Sequence, residues 1–286
     1  MSELRKLVAE ELALPVDPRV SAVAAAIAAK HGAASRAVLF YGSCLREKRL
    51  DGLMLDFYVI VSDYRAAYGK GWLAVANRLI PPNVFYFEHD GLAAKYAVLS
   101  EADFARLNGP KTTSVSVWAR FAQPSRLAWV ADAGAHKRAV DAVARAAPTL
   151  LAAAGSLDGE GSLDRWRRAF ALTYSAELRA ERKARANSVV DLDPERYERF
   201  TPAALAAATA IRPRGNWARR RMIGKALSVV RLAKASLTFA GGAEYIVWKI
   251  NRHAGTDIRL TPWQQRHPLL AGLSLLPRLL SSGAVR

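Results

Sequence analysis

Ala37-Val38-Leu39-Phe40-Tyr41-Gly42-Ser43, followed ten residues later by Met54-Leu55-Asp56-Phe57-Tyr58-Val59-Ile60-Val61, decides the reading of this chain. The first run is apolar and stops at a Gly-Ser pair, so Ala37 to Tyr41 predicts a buried strand ending in a turn. The second run is β-branched and aromatic and predicts another buried strand. Asp56 stands inside it, where a carboxylate is costly unless paired or metal-bound. Gly42 permits close backbone approach to an anion, and the following amides, with the Ser43 hydroxyl, can hold phosphate oxygens. A carboxylate on the next strand can hold Mg²⁺ against the same phosphates. Strand, Gly-Ser turn, and strand with Asp56 together predict a triphosphate site.

Working outward, Pro18 to His31 predicts a helix, started by Asp17 or Pro18 and ended at Gly32. Val84 to Glu88 and Lys95 to Leu99 flank His89-Asp90-Gly91, which predicts a hairpin. From about residue 136 the chain is Ala-rich and helical, broken by the loop from Gly155 to Gly161 and by Pro194, Pro202 and Pro213. Strands first and helices after predict an α+β protein: a mixed-sheet domain over 1–135, a helical domain over 136–215, and basic amphipathic helices over 216–286.

The chain has 286 residues, a formal net charge of +17 and 51% hydrophobic residues, enough for a sizeable core. The charge is uneven. Residues 1–134 carry 16 basic and 13 acidic side chains, 135–210 carry 12 and 10, and 211–286 carry 14 and 2. A tail of that charge reads as a contact for nucleic acid or anionic lipid. Within it, Trp217 to Ala240 predicts a helix with an apolar stripe of Met222, Ala226, Val229/Val230 and Ala233/Leu237, flanked or opposed by Arg219, Arg220, Lys225, Arg231 and Lys234. A second segment carries Tyr245, Trp248, Lys249 and Arg252. Basic amphipathic helices with Trp at the boundary can lie on a membrane surface; the alternative, expected for at least one of these helices, is that the apolar stripe packs on the rest of the protein. The single cysteine, Cys44, excludes a disulfide framework, and the five histidines show no metal-ligand spacing. No stretch reaches the length of an apolar membrane span, and the N-terminus, with Glu3, Glu10 and Glu11, does not read as a signal peptide.

Phe40-Tyr41-Gly42-Ser43 and Leu55-Asp56-Phe57 resemble the nucleotidyltransferase motif of the mitochondrial-type phosphatidate cytidylyltransferases, the translocator assembly and maintenance family of CDP-diacylglycerol synthases. Lys95-Tyr96-Ala97-Val98 is similar to that family's Lys-Tyr-Gly-Val segment. Ala119-Arg120-Phe121 with Pro124 is similar to a Gly-Arg-Leu stretch followed by Lys-Pro. Leu172-Thr173-Tyr174-Ser175 with Arg179, and then Ile211-Arg212-Pro213, continue the series, in order, over roughly residues 37–240. The resemblance implies a nucleotidyltransferase-like mixed sheet, then a winged-helix-like helical domain and C-terminal helices. The implied reaction joins CTP and phosphatidate, with Mg²⁺, into CDP-diacylglycerol and pyrophosphate at an anionic membrane surface. Composition and the absence of a transit peptide predict a bacterial cytoplasmic protein, peripheral on the inner face of the cell membrane, with an organelle protein whose transit peptide lies outside this sequence as the alternative.

On that reading Asp56 and Lys95 are catalytic, and Tyr41, Gly42, Ser43, Arg120, Tyr174, Ser175 and Arg179 bind nucleotide. The general nucleotidyltransferase pattern has a second carboxylate two residues after the first, where this chain has Tyr58. Glu88 is expected to complete the metal site ahead of Asp51, because a neighbouring strand end can face Asp56. Asp63, an odd number of residues from Asp56, is expected on the opposite face. Arg120 and Arg179 suit bidentate phosphate contacts, with an ion pair to Glu177 or Asp132 as the plain alternative for Arg120. Tyr174 and Ser175 bind nucleotide or pack a helix, and Trp118 and Trp129 belong to the core. Two other functions fit parts of the pattern: a nucleotidyltransferase acting on RNA 3′ ends, and a non-catalytic lipid-surface protein.

Overall fold

The computed structural model describes residues 2–45, 50, 52–178, 189–238, 251, 259 and 261–263. The chain opens with α1 (Glu3–Leu12) and α2 (Pro18–Lys30), and enters the sheet at β1 (Ser35–Tyr41). A single 3-10 turn, Ser43–Leu45, follows, and then β2 (Met54–Val61), α3 (Tyr64–Ala67), α4 (Gly71–Leu79), β3 (Asn83–His89) and β4 (Leu92–Ser100). Next come α5 (Glu101–Leu107), α6 (Trp118–Phe121), β5 (Ser125–Val130), α7 (Ala133–Val143), α8 (Ala146–Ala154), α9 (Ser162–Ala176), α10 (Pro194–Ala208) and α11 (Trp217–Thr238). The architecture is α+β, and among the described residues no strand follows Val130.

Local chemistry sets many of these boundaries. Asp17 accepts a hydrogen bond from the Arg19 amide, with Pro18 in the first helical position of α2. Asp63, Asp132 and Asp193 cap α3, α7 and α10 in the same way. Asp63 is thereby accounted for as a cap. The hairpin between β3 and β4 turns on Asp90 (φ 48°) and Gly91 (φ 74°), the pair of positive φ values of a two-residue turn.

The sheet order is β3-β4-β2-β1-β5. β2 and β4 run parallel, and every other pair is antiparallel. Both faces are covered, which is why the strand sequences read as continuous apolar runs. Val38, Phe40, Leu55, Phe57, Val59, Ala94 and Val98 face α2 to α4. Leu39, Tyr58, Ile60, Ala97 and Leu99 face the other layer, with Trp118 of α6 and side chains of α1, α5 and α7 to α10. This second core runs unbroken across the boundary expected at residue 135, because α7 packs on β1 and β5 while also touching α8. A buried ion pair clasps the two ends of that layer. Arg196 on α10 donates to both Glu11 carboxylate oxygens on α1 (Nη2 to Oε1, 2.9 Å) and to the Ala122 carbonyl.

Candidate functional site

The register places one row across all five strands: Ser125, Tyr41, Asp56, Lys95 and Tyr86 stand directly opposite one another. Side chains in such a row share one face of the sheet, here the face of the helical layer. The expected pair is thereby brought together, with Lys95 Nζ 2.9 Å from Asp56 Oδ1. The second oxygen, Oδ2, lies against Gly42, where an added Cβ would stand 3.1 Å from it. Gly42 has φ +93°, a conformation side chains resist, so the residue is required both for the turn and for the space. Ser43 begins the 3-10 turn directly beyond. Asp56 thus sits between a bare Cα and an ammonium, with 19% of its side chain exposed to solvent.

Two residues further along the same face is Tyr58, in the place of the general pattern's second carboxylate, and its ring packs on Tyr41 and Phe121. Burial raises the pKa of both Tyr58 and Tyr41, so these phenols stay protonated. Arg120, on the short helix α6, approaches them. Burial opposes its charge, the Glu177 and Asp56 carboxylates favour it, and its pKa stands above the ordinary guanidinium value. Its Nη1 donates to the Ser116 carbonyl and lies 3.9 Å from Glu177 Oε1. The sequence had named Glu177 only as a salt-bridge partner for Arg120; its place just past the end of α9, facing this cluster, is new.

Several expectations are corrected. Glu88 is exposed and accepts from Tyr86 Oη at 3.0 Å. It shares the face of Asp56 but stands two strands across and two residues along, about 11 Å away on standard sheet spacings. A hairpin tip that far out cannot share a metal ion with Asp56. Ser175 is exposed and donates to the Leu172 carbonyl of its own helix, and Tyr174 packs at the edge of the core. Trp118 is fully buried and Trp129 half-buried against the α2 layer, as expected of core residues.

The basic residues of α11 are also rearranged. Arg220, Gly224, Arg231 and Lys234 form one inward stripe, not the lipid-facing set expected for Arg220, Arg231 and Lys234. Arg220 is 1% exposed and donates to the carbonyls of Thr112, Thr113 and Arg214. Lys234 donates to the carbonyls of Ile80 and Pro82, and burial, with Arg231 nearby, pushes its pKa down to about 8. Arg231 donates to the Pro81 carbonyl and to the hydroxyls of Ser116 and Ser114. The reason is the loops below the helix, which offer clusters of carbonyls that no backbone amide satisfies. The apolar stripe faces outward instead, with Met222, Val229 and Val230 exposed, and Arg219 and Lys225 exposed beside them. Arg179, Trp248, Asp51, Tyr245, Lys249 and Arg252 lie outside the described residues.

For a metal, Asp56 is, among the described residues, the carboxylate placed beside the turn, and among them no group of three or more His, Cys, Asp or Glu side chains could hold an ion. Such a site fits Mg²⁺ delivered on a triphosphate, which supplies most of the oxygens and needs only one or two protein carboxylates. Among the described residues no helix is long and apolar enough to cross a membrane. No protein-family model matches the chain, and no curated protein matches it.

Proposed function

We propose that this chain is a nucleotidyltransferase that moves a cytidylyl group from CTP onto the phosphate of phosphatidate, releasing pyrophosphate. The observation that carries the reading is the placement of Asp56 between the Gly42–Ser43 turn and Lys95. The nucleotidyltransferase-like reading of the sheet rests on the same three elements. The helical layer then takes the place of a winged-helix-like domain. The choice of CTP and phosphatidate rests on the ordered resemblance from Phe40 to Pro213.

The chemistry asks little of acid–base groups, and the residues agree with that. A phosphatidate oxygen is already anionic near neutral pH and forms a bond to the CTP α-phosphorus. The bond from that phosphorus to the bridging oxygen breaks, and the electron pair leaves on pyrophosphate. Alignment and charge stabilisation do the work. Backbone amides of the turn at Ser43 and beyond receive phosphate oxygens. The Lys95 ammonium, positioned by Asp56, meets the charge that builds on the leaving group. Asp56 would hold Mg²⁺ on the triphosphate, and the ion's contribution when bound is to neutralise phosphate charge. The protonated Tyr41 and Tyr58 phenols are donors on the same face. The outward apolar stripe of Met222, Val229 and Val230, with Arg219 and Lys225 at its sides, supports contact with an anionic membrane surface. It also weakens the RNA reading, because much of the basic charge of α11 is directed into the protein.

The test is transfer of label from CTP to phosphatidate with wild type and Asp56→Ala. Wild type is expected to yield labelled CDP-lipid with Mg²⁺, and Asp56→Ala none. A wild-type preparation giving no CDP-lipid would sink the assignment; activity in the variant would remove Asp56 from it.

A further inference from the structure

Two guanidinium groups converge on one residue beside the Asp56 row. Arg120 donates to the Ser116 carbonyl, and Arg231, from α11, donates to the Ser116 hydroxyl at 2.9 Å. Arg231 also reaches Ser114 Oγ at 3.4 Å and the Pro81 carbonyl at 2.9 Å. The two serine hydroxyls are 3.1 Å apart and buried. One of them donates to the other, which leaves one hydroxyl proton between them for a ligand.

All the hydrogen-bond acceptors that Arg231 uses are neutral oxygens. The carboxylate facing both guanidiniums is Glu177, and it stays 3.9 Å from Arg120, beyond hydrogen-bonding distance. Among the described residues, Lys95, Arg120 and Arg231 thus meet Asp56 and Glu177, three cations to two carboxylates. Burial lowers the Arg231 pKa, Tyr58 and Glu177 work against that, and Arg120 adds to it, as expected of two like charges held together. Arg120 nonetheless keeps 30% of its side chain in contact with solvent, so the cluster opens outward. Two planar guanidiniums with a hydroxyl donor and surplus positive charge match a phosphate group. A phosphomonoester, close to a dianion at neutral pH, matches better than a diester.

The position suits the acceptor substrate. Both guanidiniums are near enough for their charge to act on the Tyr58 phenol, and Tyr58 is two residues from Asp56 on the same face, about 7 Å along the strand. Tyr58 stands opposite Leu39, three residues before Gly42, so a phosphate held there lies about 10 Å along the strand from the Gly42–Ser43 turn. We propose that Arg120 and Arg231, with Ser114 and Ser116, form the subsite for the phosphomonoester group of the acceptor, separate from the triphosphate turn. The identity of the acceptor as a lipid phosphate rests on the function proposed above; the subsite itself does not.

The experiment measures binding and turnover on the full chain. Calorimetric titrations use dioctanoyl phosphatidate, glycerol 3-phosphate, inorganic phosphate, dioctanoyl phosphatidylcholine and CTP, with wild type, Arg231→Met and Arg231→Lys. Wild type should bind the phosphomonoesters and not the diester. Arg231→Met should weaken phosphatidate by about tenfold or more, the size of one lost charge-assisted hydrogen bond, and leave CTP within about twofold. In turnover the same variant should raise KM for phosphatidate by that factor and leave KM for CTP unchanged, a split that a purely structural strut would not produce. Inorganic phosphate binding as tightly as phosphatidate would assign the subsite to free phosphate. If Arg231→Met does not fold, Arg231→Lys decides, since it keeps the charge and loses the fork: acceptor KM alone should rise. Acceptor and CTP affected equally, or neither affected in a folded variant, overturns the subsite. Phosphomonoester binding without any transfer by wild type would retain the subsite and remove the proposed reaction.

Discussion

Replacing Gly42 by alanine perturbs stability and chemistry through separate routes, and a second glycine separates them. Gly42 has φ +93°, and an alanine there carries backbone strain of about 1–2 kcal/mol, reduced by about 0.5 kcal/mol because alanine also restricts the unfolded chain. For a chain of this size a net loss near 1 kcal/mol lowers Tm by about 2–4 °C. Gly32, at φ +52°, has the same kind of backbone but open space around its Cα. Gly32→Ala should therefore show the same small drop in Tm and full transfer activity. At Gly42 the new methyl also stands 3.1 Å from Asp56 Oδ2, so the carboxylate must shift by a few tenths of an ångström. Its other oxygen is 2.9 Å from Lys95, and the shift disturbs that distance. Displacements of this kind at a reacting centre cost about 10- to 100-fold in rate. The assay is differential scanning fluorimetry alongside label transfer from CTP to phosphatidate. Equal activity in the two variants, whether retained or lost, would refute the claim that Gly42 is required for its closeness to Asp56.

Three further outcomes follow from other parts of the fold. In α11, a Cβ added at Gly224 would run into the Ala176 carbonyl oxygen, so Gly224→Ala should force α11 off α9, lowering Tm and raising KM for phosphatidate more than KM for CTP; normal Tm and kinetics would show that the helices do not cross this closely. Glu11→Gln leaves the Arg196 guanidinium buried without its counter-charge and should cost about 3 kcal/mol in chemical denaturation, whereas Glu11→Leu with Arg196→Met should recover most of it; a single variant within about 0.5 kcal/mol of wild type would contradict this. The Lys234 pKa is depressed to about 8 in the folded state, so between pH 8 and the ordinary value of 10.5 the unfolded chain binds the extra proton and stability rises with pH. From pH 8 to 9.5 the unfolding free energy of wild type should gain about 1.5 kcal/mol relative to Lys234→Met, and a difference that stays flat would remove the titration of Lys234.

Four of the five strands were legible in the sequence because their apolar runs stand out. Ala37 to Val61 gave two apolar runs, and the one charged residue inside them, Asp56, marks the functional face. Lys95 was readable as a strand lysine, but its pairing with Asp56 depends on a parallel register that no local pattern encodes. Glu88 was misjudged for the same reason: proximity along a hairpin says nothing about which row of the sheet a side chain occupies. β5 escaped notice because Ser125–Val130 is short and carries Arg126, so it lacks the continuous apolar run of a central strand. In α11 the periodicity was right and the inference from it was reversed. A stripe of alternating chemistry tells which residues share a face; which face turns inward was decided by unsatisfied carbonyls at Ile80 to Pro82 and at Thr112 to Arg214, far away in sequence. The hydroxyl-rich run from Thr112 to Ser116 was the available clue to that acceptor surface.

The clasp between Glu11 and Arg196 also has a consequence for how the protein comes into being. The two residues are 185 positions apart, and a chain made at roughly 5–20 residues per second leaves α1 without its counter-charge for about 10–40 s. During that interval the sheet is completed while α8 to α10, which cover part of one face, are still to be made. The N-terminal portion is therefore not a unit that finishes before the rest arrives, and nascent chains stalled near residue 140 should remain open to protease within α1. Protection is expected only after α10 has left the ribosome.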